Sequence, residues 1–203
     1  MSAERLAILQ AARLKGRLSP EAAATSSGMS ADQAGAVLEQ LRTAGLVKGE
    51  PSVRLTPEGR EELASLVAGE REHIDATALQ GLYEEFDDHN NQLKQVVTDW
   101  QMIDGEPNDH SDAAYDQGIL DRLVALHAGF EPLVERIATT APRLQTYLIR
   151  FTTAINAVRA GDTTYVARPI TDSYHTVWFE FHEELIGLLG LSRVEEAAAG
   201  RAV

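Results

Sequence analysis

The N-terminal third of the chain alternates short apolar stripes with polar breaks, and each break carries a helix start or stop signal. From Ala3 to Leu18, Ala7, Ala11, Leu14 and Leu18 recur at helical spacing with Ile8 beside them, and Leu6 and Leu9 flank that face. Ser19-Pro20-Glu21 opens a second, short helix through about Ser26, with a capping hydroxyl and then a proline where the missing N–H costs nothing. Ser30 caps a third helix, Ser30–Ala44, in which Ala34, Val37, Leu38 and Leu41 stand at i, i+3, i+4 and i+7. Gly45 ends it as a left-handed stop. Leu46-Val47-Lys48 and Ser52-Val53-Arg54-Leu55 then read as two short strands around a Gly49-Glu50-Pro51 turn. Thr56-Pro57-Glu58 restarts a helix with a cap and an N1 proline.

Beyond that point the period is helical almost throughout. Leu63, Leu66, Val67, Ile74, Leu79, Leu82, Phe86, Leu93, Val96 and Val97 recur mostly three and four apart, with a break expected near Gly69–His73. Ile103–Asp109 is a turn-rich loop. A long helix follows over Ser111–Ala138, kinked or divided at Pro132. Another begins at Pro142-Arg143 and stops at Gly161-Asp162, and a last one runs from Thr171-Asp172 to Gly190. Its Tyr174, Trp178, Phe181, Leu185 and Leu188 make one stripe, and His175, Phe179, His182, Ile186 and Leu189 a second beside it, so both histidines are expected to face the interior. The fold class is therefore mainly α: a winged helix-turn-helix with a small two-stranded wing, followed by an all-helical bundle of about four helices. The domains divide as 1–72, 73–192 and a flexible tail, 193–203.

The stretch Gly45-Leu46-Val47 through Arg54-Leu55-Thr56-Pro57-Glu58-Gly59-Arg60 resembles the wing and exit helix of MarR-type regulators. That resemblance implies binding to double-stranded DNA, with the Ser30–Ala44 helix in the major groove and the wing near the backbone, while the long helical stretch from Glu58 to Trp100 points to a break or to a homodimer. On that resemblance, Gln33 is the candidate to pair with adenine and Ser30 to touch a base or phosphate, while Arg42, Lys48, Arg54 and Arg60 are candidate phosphate contacts. The run from Asp99-Trp100-Gln101 through Asn108-Asp109-His110-Ser111-Asp112-Ala113-Ala114-Tyr115-Asp116 to Asp172-Ser173-Tyr174-His175-Thr176-Val177-Trp178 is similar to a helical domain of actinobacterial winged-helix proteins. Some members of that group are associated with phosphoenolpyruvate-using dikinases. The likeness implies a sensor or partner-binding role for the second half.

Charge changes the picture in one respect. The net charge of −13 argues against a nucleic-acid partner until it is divided along the chain. Through Glu72 there are nine Lys/Arg against ten Asp/Glu, and beyond it nine against twenty-one. The acidity belongs to the second half, although the N-terminal module is near-neutral rather than basic. Asp32 and Glu39 on the proposed reading helix, with no basic residue before Arg42, speak instead for a winged-helix adaptor that binds a protein partner. The 44% hydrophobic content suffices for a core, and the absence of cysteine excludes disulfides, Cys-ligated zinc and a thiol nucleophile. With no leader pattern and no membrane-length apolar run, the chain is expected to be cytoplasmic and away from membranes.

The aromatic and polar residues of the second half suggest an effector pocket walled by Trp100, Tyr115, Tyr174 and Trp178, with Asp109, His110 and His175 as polar contacts. Two alternatives stand beside it: a nitrogen/oxygen metal site, as in effector domains of some GntR-type regulators, and structural histidines hydrogen-bonded to Asp99, Asp172 or Glu180. The interval from His175 to His182 is too long for a same-helix ligand pair, so neither metal nor cofactor is assigned. Catalysis is not expected. There is no Gly-x-Ser-x-Gly elbow and no phosphate loop, and in His182-Glu183-Glu184-Leu185-Ile186 an isoleucine stands where a zinc-binding His-Glu-x-x-His would have its second histidine.

Overall fold

A computed structural model describes residues 2–192, 194 and 196. The tail expected over 193–203 thus falls almost wholly outside the described residues. The chain is mainly helical and divides into two compact units, Met1–Ile74 and Asp75–Val203. No helix among the described residues is long and apolar enough to cross a membrane.

The first unit contains α1 (Ser2–Lys15), α2 (Pro20–Ser27), α3 (Ala31–Thr43), a hairpin of β1 (Val47–Lys48) and β2 (Arg54–Leu55), and α4 (Pro57–Arg71). Its helix starts are set by short-range chemistry. Ser19 accepts the Ala22 N–H, Ser30 that of Gln33, and Thr56 that of Gly59, with proline at the first position of α2 and α4. In α1 the buried face is Leu6, Ile8, Leu9, Ala11 and Ala12, rotated from the expected stripe, with Ala7 and Leu14 only half-buried. The rotation follows from where the helix stops. It ends at Lys15, Gly16 turns the chain at φ 68°, and Leu18 leaves the helix to exchange both backbone hydrogen bonds with Val53 at 2.9 Å. Leu18 and Val53 are fully buried and tie the hairpin to the helices.

Gly59 is required where α4 meets the hairpin. The Thr56 hydroxyl donates to the carbonyls of Gly45 (2.7 Å) and Leu46 (3.1 Å), drawing the start of α4 onto the end of α3. A Cβ at Gly59 would lie 2.0 Å from the Leu46 carbonyl oxygen, so the closeness tolerates hydrogen alone. This accounts physically for the Leu-Thr-Pro-Glu-Gly segment.

The second unit contains α5 (Ala76–Gln101), a minimal hairpin of β3 (Met102–Ile103) and β4 (Glu106–Pro107), α6 (Ala113–Thr140), a 3-10 turn (Pro142–Gln145), α7 (Thr146–Arg159), the short α8 (Thr164–Ala167) and α9 (Tyr174–Leu189). α6 continues through Pro132 without dividing. The four long helices pack in a closed circuit, α5 on α6, α6 on α7, α7 on α9 and α9 on α5. Each gives aromatic rings to one core: Phe86 from α5, Phe130 from α6, Phe151 from α7, Trp178 and Phe181 from α9. Trp178 lies 4.1 Å from Phe130 and 5.2 Å from Phe86 between ring centres, and its indole N–H donates to buried Asn90 at 3.0 Å.

Candidate functional site

In the first unit, α3 stands on a reciprocal cap. Ser30 Oγ accepts the Gln33 N–H at 3.2 Å, and Gln33 Oε1 accepts the Ser30 N–H at 3.0 Å. A glutamine that reads adenine needs its oxygen for N6–H and its NH2 for N7. Here the oxygen is already engaged, and the side chain contributes to folding as well as to any contact. Farther along α3, the Arg42 guanidinium pairs with Glu39 at 2.5 Å, so the late cation of the helix is locally neutralised. The hairpin differs. Lys48 and Arg54 are register partners, both exposed, which sets two cations directly across from each other. Like charges so placed repel unless an anion lies between them. Arg60, also exposed, follows in the first turns of α4.

In the second unit, the seven residues expected to form one pocket fall into two groups. Trp100, His110 and Tyr115 gather where α5 gives way to the β3–β4 hairpin. The His110 ring lies 4.4 Å from that of Trp100, and its Nδ1 is 2.9 Å from Asp116 Oδ2. Asn108 donates to Asp116 Oδ1 and to the Trp100 carbonyl, and accepts the His110 N–H. Tyr115 donates to the Asp99 carbonyl at 3.2 Å, and Asp99 also pairs with Arg122. His110 has φ 58°, a left-handed conformation uncommon for a side-chain-bearing residue and sustained here by these contacts. Asp109 is exposed; it receives the Ser111 N–H at 3.0 Å, and its hydrogen bonds to Ser111 hold its carboxyl below the ordinary range.

Tyr174 and Trp178 belong to the aromatic core instead. Tyr174 packs edge-on against His127 and faces Phe151, at 5.8 and 5.2 Å. Trp100 lies ten residues along α5 from Asn90, and Tyr115 twelve residues along α6 from His127, so the two groups are about 15 to 18 Å apart. His175 is half-buried and its imidazole is pushed to lower pKa by desolvation; among the described residues it makes no hydrogen bond. His182 is buried, with Nε2 2.9 Å from the Tyr83 hydroxyl. Among the described residues, no three His, Asp or Glu side chains gather as metal ligands would.

Sequence reasoning missed the most strongly charged part of the interior. Arg150, 4% exposed, donates to Glu180 at 2.6 Å and to Asp172 at 3.1 Å, and its guanidinium lies over the Tyr147 ring at 4.9 Å. Arg143 grips Glu184 with two bonds, 2.7 and 2.8 Å. Burial alone would make Arg150 easier to deprotonate, but the carboxylates of Glu180 and Asp172 hold its pKa above the ordinary value. Burial and the Glu184 carboxylate push the Tyr147 hydroxyl the same way. Asp172 and Glu180, histidine partners in the structural alternative, thus meet Arg150. The only available sequence signal was an arginine inside an otherwise apolar helical stripe, Tyr147-Leu148-Ile149-Arg150-Phe151.

No family model, curated protein or solved structure matches the chain.

Proposed function

We propose that this protein is a DNA-binding transcriptional regulator whose first unit is a winged helix-turn-helix and whose acidic second unit is the sensing and dimerising half. The observation that carries the proposal is the hairpin. A two-stranded wing follows α1–α2–α3 and presents Lys48 and Arg54 as an exposed, register-matched cationic pair. Phosphate is the partner that relieves their repulsion. In this reading α3 enters the major groove and contributes shape, with Gln33 offering its NH2 group, while Lys48, Arg54 and Arg60 supply most of the phosphate affinity. The Trp100–His110–Tyr115 group is the part of the second unit best suited to meet a small molecule, since its rings and imidazole are fixed and His110 is exposed.

The test is DNA retardation across a salt series. Binding should fall steeply with salt, and Lys48→Ala and Arg54→Ala should each weaken it for all sequences alike. Each should also reduce the slope of log K against log salt by about 1. Absence of retardation at about 50 mM salt, or variants that bind as the parent does, would overturn the reading. One observation favours a second role, that of an adaptor for a basic protein partner: α3 exposes Asp32 and Glu39, and its Arg42 is paired. Capture of one stoichiometric partner by a chain that fails to retard DNA would select it.

A further inference from the structure

Glu196 reverses the usual order of burial. It lies beyond the end of α9 and is 1% exposed, while Val194, two positions earlier, is 80% exposed. Its burial requires hydrogen-bond donors, because a buried carboxylate without matched donors is strongly unfavourable. The donors are identifiable. The Tyr83 hydroxyl donates to Glu196 Oε2 at 2.6 Å, and the same hydroxyl oxygen is 2.9 Å from His182 Nε2. Tyrosine has one proton to give and gives it to Glu196, so its oxygen accepts from the imidazole N–H. Donation therefore runs from His182 through Tyr83 to the carboxylate.

Both donors are fixed before any carboxylate arrives. Tyr83 stands on α5 and His182 on α9, and their rings pack on Phe86 at 5.9 and 4.9 Å. The carboxylate, by contrast, comes from beyond the end of α9, where Val194 is exposed. Rigid donors on two core helices, with the acceptor carried on the segment after α9, have the form of a receptor holding a tethered ligand.

We propose that Tyr83 and His182 constitute a carboxylate-binding site, occupied by Glu196 in the resting chain and open to a small free monocarboxylate when Glu196 is withdrawn. Tethering gives Glu196 an effective concentration in the millimolar range, so a free acid competes only at comparable levels. The inference deepens the sensing role given to the second unit by naming a ligand class, and its test uses no DNA. A failure of DNA binding and a failure of this site are therefore told apart.

The test is chemical rescue. Both tryptophans lie in the second unit, so their fluorescence follows its thermal unfolding. Glu196→Ala should lower the midpoint by about 5 °C. Sodium propionate should restore it along a saturating curve, whereas propionamide and sodium chloride at matched ionic strength should not. The parent chain should respond little, and Tyr83→Phe added to Glu196→Ala should abolish the rescue. If Glu196→Ala does not fold in buffer, recovery of folded protein from refolding in propionate but not in chloride is the same positive result. Equal effects of propionate and chloride, or rescue that survives Tyr83→Phe, would overturn the proposal.

Discussion

Arg150 keeps its charge inside the second unit because two carboxylates meet it from different directions: Glu180 on α9, and Asp172 on the segment leading into that helix. Such a cluster is costly to assemble and more costly to break, since removal of Arg150 takes from the buried Glu180 carboxylate its 2.6 Å guanidinium partner. Arg150→Met should therefore destabilise the unit by about 3–5 kcal/mol in denaturant unfolding followed by tryptophan fluorescence. Adding Glu180→Leu to Arg150→Met should recover a substantial part of that loss, because the buried carboxylate that lost its guanidinium is then replaced by an apolar side chain. If the double variant is less stable than the single, the ion pair is not the principal interaction of Arg150. The same residue marks a limit of sequence reading. Arg150 and Glu180 are thirty positions apart, and nothing local to either sequence window states that they meet.

At the scale of elements, the starts of α2, α3 and α4 were legible because a cap is a contact between neighbours: Ser19, Ser30 and Thr56 each accept an N–H from three residues on. Elements whose reason is distant were not legible. Leu18 completes a helical stripe in sequence yet pairs with Val53, and the β3–β4 hairpin consists of two-residue strands too short to show a period. The expected pocket separated for a similar reason, since helical rise carries Trp100 away from Asn90 and Trp178 regardless of how aromatic both regions are. The join between the β1–β2 hairpin and α4 gives an element-scale prediction. Gly59→Ala places a methyl carbon against the Leu46 carbonyl, and α4 and the end of α3 must part to admit it. The first unit should lose about 3 kcal/mol, read as faster amide hydrogen exchange across α3, β1 and α4, with tryptophan fluorescence of the second unit unchanged. Unaltered exchange in α3 and α4 would show that the close approach does not hold the first unit together.

Across the whole molecule, charge and protonation act mainly through the second unit, which holds twenty-one acidic residues against nine basic ones. Three of its histidines, His89, His127 and His175, have pKa values lowered chiefly by desolvation. For His89 the nearby Asp88 and Glu85 oppose that shift; at His127 Glu131 opposes it and Arg159 reinforces it. The unfolded chain regains the ordinary histidine value of about 6.5, so it takes up protons at a higher pH than the native chain does. Falling pH therefore favours the unfolded state through this window, and stability rises with pH from about 5 to 7 and levels off above it. Exposed carboxylates held below their ordinary values, such as Glu85 beside Arg136 and Asp109 beside Ser111, act in a lower window, below about pH 4.5. The two contributions are thus separable. The tryptophan-reported melting temperature should fall between pH 7 and pH 5, and His127→Gln should flatten the fall, because His127 is the least exposed of the three, with Nδ1 3.3 Å from the Tyr174 hydroxyl and its one facing carboxylate, Glu131, 3.9 Å from Nε2 and half in solvent. A melting temperature that holds or rises as pH drops to 5, or a His127→Gln profile parallel to the parent's, would mean that buried neutral imidazole does not set the acid limit of this bundle.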